Sequence, residues 1–303
     1  MNDTSLRGSR ALPLGRCLTA MVTPFHPDGT LDADGAQKLA AHLVDSGCDG
    51  LVLSGTTGES PTTTDAEKDL LTRSVVEAVG GRARVIAGVG TSDTAQSVAL
   101  ARAAERAGAD GLLVVTPYYS RPQQEGVRRH LSAVADAVSL PVMLYDIPHR
   151  TGTRLSGETL RSLAEHPRIV AVKDVSYDLA GAARTIADTG LHYYCGADEL
   201  NLPLLAIGAV GVVSTVANVA PRQTLAVLDA YARGDNAEAL RLHQQLLPLV
   251  QTMMDEAPGT VTAKALLADA GLPAGPVRPP LVEADPDLRD RLRTAFQNAG
   301  CSR

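Results

Sequence analysis

The sequence predicts an α/β protein: a (β/α)8 TIM barrel with a C-terminal helical extension. Three observations carry this expectation. Eight short apolar runs of strand length recur along the chain. Between them lie Ala/Leu-rich segments with helical periodicity, so strand and helix alternate. After Ala220 the strands stop and only helical patterns follow. Alternation of this kind builds βαβ units and a parallel sheet. About eight units, one every ~20 to 35 residues, fit a closed barrel better than an open doubly wound sheet.

In chain order, CLTAMV at 17–22 is the first strand, and a helix is expected over Asp34 to Ser46. GLVLS at 50–54 leads into a helix from Asp65 to Val79, and RVIAGV at 84–89 into one from Thr94 to Ala107. GLLVV at 111–115 precedes a helix from Gln124 to Val138. PVMLY at 141–145, IVAV at 169–172, LHYY at 191–194 and GVVS at 211–214 complete the set of strands. Helices over Gln223–Arg233, Asn236–Met254, Thr260–Ala270 and Pro286–Asn298 form the extension, with a Pro/Gly loop at Pro273 to Pro280 inside it. The expected division is a flexible tail at 1–15, the barrel at 16–222, and barrel-closing and C-terminal helices at 223–303.

Composition excludes several function classes. The 303 residues are 45% apolar and 20% charged, with a net charge of −6 and no basic run of the kind nucleic acid requires. No G-x-G-x-x-G opens the first unit and no P-loop occurs, and Gly88-Val89-Gly90 is too short to argue for a dinucleotide. Cys17, Cys48, Cys195 and Cys301 are far apart, and no His cluster has metal-ligand spacing, so no metal site is expected. The first residues are polar and lack a secretory h-region, and the apolar stretch Leu202–Ala220 is interrupted by Pro203, Ser214, Thr215 and Asn218. The expectation is a cytoplasmic protein without a membrane span.

In such a barrel the chemistry sits at the C-terminal ends of the strands. The chain has only four lysines, and Lys173 alone ends an apolar strand, whereas Lys264 lies in an Ala/Leu stretch with no polar cluster. Apolar surroundings disfavour a charged amine, and the free amine is the form that attacks a carbonyl. Lys173 reads either as such a nucleophile or as a lysine that reaches solvent or pairs with Asp174. Gly55-Thr56-Thr57-Gly58 reads either as a cradle for a small anion or as a turn with Ser60 or Thr64 capping the next helix. Tyr118 and Tyr119 follow strand four in a chain with no Trp and two Phe. Tyr145 is the natural proton-relay partner of Lys173, or else a core tyrosine. Arg150 suits a carboxylate clamp, or is a solvated loop charge.

The motifs GTTGES at 55–60, VTPYYSRP at 115–122, LYDIPHRTG at 144–152, VKD at 172–174 and GVVSTVANV at 211–219 follow one another in order. With them the chain closely resembles the dihydrodipicolinate synthase family of pyruvate-dependent class I aldolases, which also holds N-acetylneuraminate lyase. The resemblance implies an imine between Lys173 and pyruvate, with Thr57, Tyr145 and Tyr119 as the proton relay. Tyr119 would reach across a tight dimer interface into its neighbour's site. It also implies that Thr56 and Thr57 hold the pyruvate carboxylate, that Gly196 and Val213 line the pocket, and that Arg150 binds aspartate semialdehyde. No cofactor beyond the lysine imine is implied. The implied product is 4-hydroxy-tetrahydrodipicolinate, a precursor of diaminopimelate and lysine, and the implied assembly is a homotetramer, a dimer of dimers.

The sequence departs from the family pattern at identifiable places. Asp146 stands where Asn is commoner, and Gly196-Ala197-Asp198 lacks the first acid of the usual Gly-Asp-Asp. Members inhibited by lysine use two His, an Asn, a Glu and a tyrosine at the dimer interface. Tyr118 matches the tyrosine, while Asp65, Lys68, Ser92 and Gln96 replace the others, so the resemblance does not extend to lysine feedback. The rival readings are another pyruvate aldolase or lyase of the same family, with a different aldehyde, and a barrel paralogue that binds without catalysis. The arginine at 150 argues against the first, and retention of Lys173, Tyr145, Thr57 and Tyr119 argues against the second.

Overall fold

Aliphatic runs too short for a helix and buried on both faces leave their backbones one economical solution, a parallel ladder covered by helices. The structure is a computed structural model that describes Leu12 and residues 14–301. In it the strands are β1 (Cys17–Ala20), β2 (Gly50–Leu53), β3 (Arg84–Gly88), β4 (Gly111–Val115), β5 (Val142–Asp146), β6 (Ile169–Asp174), β7 (His192–Cys195) and β8 (Gly211–Ser214). All pair in parallel in sequence order, and β8 closes on β1.

The helices between them are α1 (Ala33–Asp45), α2 (Asp65–Val79), α3 (Thr94–Arg106), α4 (Gln124–Asp136), the single turn α5 (Pro148–Thr151), α6 (Gly157–Ala164), α7 (Leu179–Thr189) and α8 (Asn201–Ala206). The extension is α9 (Pro221–Ala232), α10 (Asn236–Asp255), α11 (Gly259–Asp269) and α12 (Pro286–Asn298). The caps show why helices begin where they do. Asp32 accepts from the Gly35 N–H at 2.8 Å, and Thr64 and Glu67 form a reciprocal capping box on α2.

Two boundaries differ from the sequence reading in ways that shape the site. The first strand ends at Ala20 rather than residue 22: the Met21 N–H still donates to the Val52 carbonyl on β2 at 3.0 Å, but the backbone beyond it leaves the ladder. The Val22 N–H donates to Asn218 Oδ1 at 3.1 Å, and that amide also donates to the carbonyls of Ala20 and Thr215. The sixth strand runs through Lys173 to Asp174, so Lys173 is held by the ladder itself.

Most of the expected tail at 1–15 lies outside the described residues. Leu14 is fully buried, and the Gly15 carbonyl accepts from the Tyr194 hydroxyl at 2.8 Å. The four cysteines are buried and free. Among the described residues no helix is long and apolar enough to cross a membrane, and no His/Cys/Asp/Glu group is arranged to hold a metal ion.

Candidate active site

Side chains alternate across a strand, so neighbouring residues on β5 and β6 face different spaces. The parallel register sets Tyr145 beside Lys173 and Asp146 beside Asp174. The first pair lines a cavity of about 340 Å³ at the strand ends, and the second lines a separate one behind the sheet. Lys173 is 6% exposed, and its Nζ lies 4.3 Å from the centroid of the Tyr145 ring. It neither reaches solvent nor pairs with Asp174, whose carboxylate accepts from the Ser176 N–H at 2.7 Å instead. Among the described residues no carboxylate is within ion-pair range of Lys173. Gly196, on the loop after β7, makes room for it, because a Cβ there would stand 2.6 Å from Lys173 Cε.

Lys264 requires a correction. Read from sequence as free of any polar cluster, it is 3% exposed and ion-pairs with Glu59 at 2.6 Å. Its ammonium also donates to the Pro276 carbonyl and lies over the Phe25 ring. Lys68 likewise donates to the Ser60 carbonyl at 3.0 Å. Two lysines are thus occupied in holding the loop after β2, and Lys173 is the buried lysine left without a counter-charge.

That loop carries Thr56 and Thr57 into the cavity. The Thr57 hydroxyl is 3.1 Å from that of Thr215, which follows β8. Thr215 is placed by Asp198, a buried carboxylate that accepts from the N–H groups of Thr215 and Val216 and from the hydroxyl of Ser214. Burial pushes the Asp198 carboxyl above its ordinary range, and these donors oppose the shift. The capping reading of the same stretch also holds, since Thr64 starts α2.

The C-terminal extension completes the wall. The Thr260 hydroxyl, in the first turn of α11, donates to the Thr57 carbonyl at 3.2 Å. The Arg278 N–H donates to Glu59 Oε2 at 2.8 Å, and its guanidinium ion-pairs with Glu67. A barrel of strands and their helices alone would leave this side of the site open. Sequence reading missed Thr215, Asp198, Thr260 and the Glu59–Lys264 pair. The available signals were a Thr directly after strand eight and an Asp three residues past strand seven.

Arg150 sits on the α5 turn, at the mouth, and lines both the Lys173 cavity and an adjoining one of about 360 Å³. Tyr118 and Tyr119 line the adjoining cavity only. Tyr119 is 94% exposed and has a φ of 72°, a left-handed conformation that costs a bulky residue energy. Within one chain it is therefore not beside Lys173. Val213 is wholly buried in β8 and does not line the cavity. The structure thus gathers Lys173, Tyr145, Thr56, Thr57, Gly196 and Arg150 around one space, and leaves Val213 and Tyr119 out of it.

Behind the sheet, Asp146 accepts from the Leu155 N–H at 3.2 Å. Burial pushes its carboxyl from 3.8 up to about 7, with Asp174 adding to the rise and the Leu155 N–H and Arg154 opposing it. A carboxyl that stays protonated when folded but ionises when unfolded loses stability as pH rises from about 4 to about 7. The cost is complete above that window. Asp146→Asn keeps the acceptor and removes the ionisation, so it is expected to be more stable than the parent at pH 8 by about 2–4 kcal/mol, from ~1.4 kcal/mol per pKa unit. The gain should shrink toward pH 5 in urea unfolding curves. A gain independent of pH would show that Asp146 titrates normally.

Comparison with known proteins agrees with this geometry. A family model described as the dihydrodipicolinate synthetase family matches residues 13–299. The chain is 62% identical over 285 residues to 4-hydroxy-tetrahydrodipicolinate synthase 1 of Streptomyces coelicolor, covering 94% of this chain and 93% of the relative. Among solved structures, the enzyme of Cyanidioschyzon merolae with lysine bound superposes with a TM-score of 0.92 at 40% identity, over 95% of this chain and 99% of that one. The chloride-inhibited dihydrodipicolinate synthase of Acinetobacter baumannii complexed with pyruvate gives 0.90 at 34%, over 95% and 100%. With a family match that spans nearly the whole barrel and extension, and a buried, unpaired lysine beside a tyrosine at the strand ends, the chain belongs to the dihydrodipicolinate synthetase family.

Proposed function

We propose that this chain condenses pyruvate, held as an imine on Lys173, with L-aspartate 4-semialdehyde to give 4-hydroxy-tetrahydrodipicolinate. The observation that carries the reading is the buried Lys173 amine, unpaired and 4.3 Å from the Tyr145 ring centroid. The amine attacks the pyruvate C2 carbonyl and water leaves. The resulting imine draws electrons from C3, which loses a proton and becomes an enamine nucleophile, so the lysine does the work of an electron sink without a cofactor. C3 then bonds to the aldehyde carbon. The aldehyde substrate's own amine attacks C2 and displaces Lys173, which closes the ring.

Tyr145 and Thr57 move the protons, the latter through its contact with Thr215. Thr56 and Thr57 hold the pyruvate carboxylate, Gly196 leaves Lys173 the space it occupies, and Val213 packs within β8. Arg150 holds the carboxylate of the aldehyde at the mouth by a two-pronged hydrogen bond. Tyr119 completes the relay from a neighbouring copy, which its exposure supports, in a homotetramer built of tight dimers. The enzyme works in the cytoplasm, a reading supported by four cysteines that form no disulfide.

The test is borohydride reduction with pyruvate followed by peptide mass spectrometry, and an assay with aspartate semialdehyde on the same sample. A reduced pyruvyl adduct on Lys173 together with turnover is the expected result. An adduct without turnover would point to a different aldehyde, and no adduct would end the imine mechanism.

A further inference from the structure

The mouth of the cavity carries a feature that the condensation described above leaves unused. Tyr177, on the loop after β6, is 57% exposed and has a φ of 60°. A tyrosine is held in that left-handed region only where its surroundings compensate. The compensation visible here is a hydrogen bond from its hydroxyl to Glu199 Oε1, at 2.7 Å. Glu199 lies on the loop after β7, so the contact bridges the ends of two adjacent strands, and both residues line the Lys173 cavity.

Among the described residues, three carboxylates line that cavity: Glu59, Glu199 and Asp255. Glu59 is consumed by Lys264 and the Arg278 N–H. Asp255 ends α10 and is exposed. Glu199 is the one oriented by a neighbour, and Tyr177 takes only one of its oxygens. It lines the same cavity as Arg150. His149, which packs edge-on to the Tyr177 ring at 6.0 Å, feels the charges of both Arg150 and Glu199.

An amino-acid aldehyde brings two charges on one carbon, a carboxylate and an ammonium. Arg150 answers the first, and a site that left the second facing only cations would bind such a molecule poorly. We infer that Glu199, oriented by Tyr177, binds the α-ammonium of the aldehyde substrate and sets the preference of this site for an amino-acid aldehyde over a plain carboxy-aldehyde. The inference rests on the proposed condensation.

The experiment compares L-aspartate 4-semialdehyde with succinic semialdehyde, which keeps the carboxylate and lacks the amine, in the full-length protein. KM for the first and the competitive inhibition constant of the second are measured for the parent, Glu199→Gln, Tyr177→Phe and Asp255→Asn. A charged hydrogen bond is expected to cost about 10- to 100-fold when lost. Glu199→Gln should therefore raise KM for aspartate semialdehyde by at least about 10-fold and leave inhibition by succinic semialdehyde and borohydride trapping of pyruvate unchanged. Tyr177→Phe should move the same ratio by a smaller factor, and Asp255→Asn should not move it. Equal weakening of both aldehydes, or an effect confined to Asp255→Asn, would overturn the inference. Absence of turnover by the parent protein would instead overturn the proposed condensation, so the two failures are separable.

Discussion

Replacing Lys173 by alanine is expected to abolish pyruvate trapping by borohydride and to lower kcat/KM by at least about 10⁴-fold, roughly 5.5 kcal/mol at 1.36 kcal/mol per decade. The size follows from the geometry. The other lysine buried near the cavity, Lys264, is already ion-paired with Glu59, and Lys68 donates to backbone carbonyls, so neither amine can take over. Stability should not fall in parallel, because the substitution removes a buried amine that has no counter-charge in the described structure. Mass spectrometry of the trapped protein and a thermal melt on the same variant separate the two effects. Trapping that persisted in Lys173→Ala would move the imine to another residue and undo the assignment.

The second large effect is expected at Arg150. Arg150→Ala should lower kcat/KM for aspartate semialdehyde by about 10²- to 10³-fold, the ~2–5 kcal/mol range for losing one partner of a hydrogen-bonded charge pair, while pyruvate trapping stays intact. Arg150 sits on the α5 turn after β5 and lines the cavity without being part of the Lys173–Tyr145 contact. Arg150→Lys should recover only part of the loss, since an ammonium cannot reproduce the planar two-pronged fork of a guanidinium. Steady-state kinetics with each substrate varied in turn is the measurement. Wild-type behaviour of Arg150→Ala toward the aldehyde would remove the main support for that substrate.

Pairs that depend on local periodicity were legible in the sequence. Tyr145 and Lys173 close adjacent strands, and a parallel ladder between successive strands brings their ends together whatever the rest of the chain does. The helices after Ala220 were legible for a similar reason, and their observed ranges agree with the expected ones to within a few residues. Arg150, with Thr56 and Thr57, could be placed at the mouth because residues after a barrel strand face it.

Contacts that join distant segments were not legible. Thr57 meets Thr215 across 158 residues, and Lys264 reads as an ordinary lysine among alanines until α11 folds back over the barrel and buries it against Glu59. Glu199 and Tyr177 are ordinary loop residues until β6 and β7 lie side by side. Val213 shows the converse, since its motif suggested a lining position and the closed barrel buries it in β8, outside the cavity's lining. Hydrophobic periodicity and strand order are properties of short stretches, so the sequence alone determined the barrel, the lysine at the end of its sixth strand and the tyrosine beside it. Which carboxylate neutralises which amine, and which residue faces the cavity, depends on distances between segments far apart in the chain, and only the closed tertiary structure decides those.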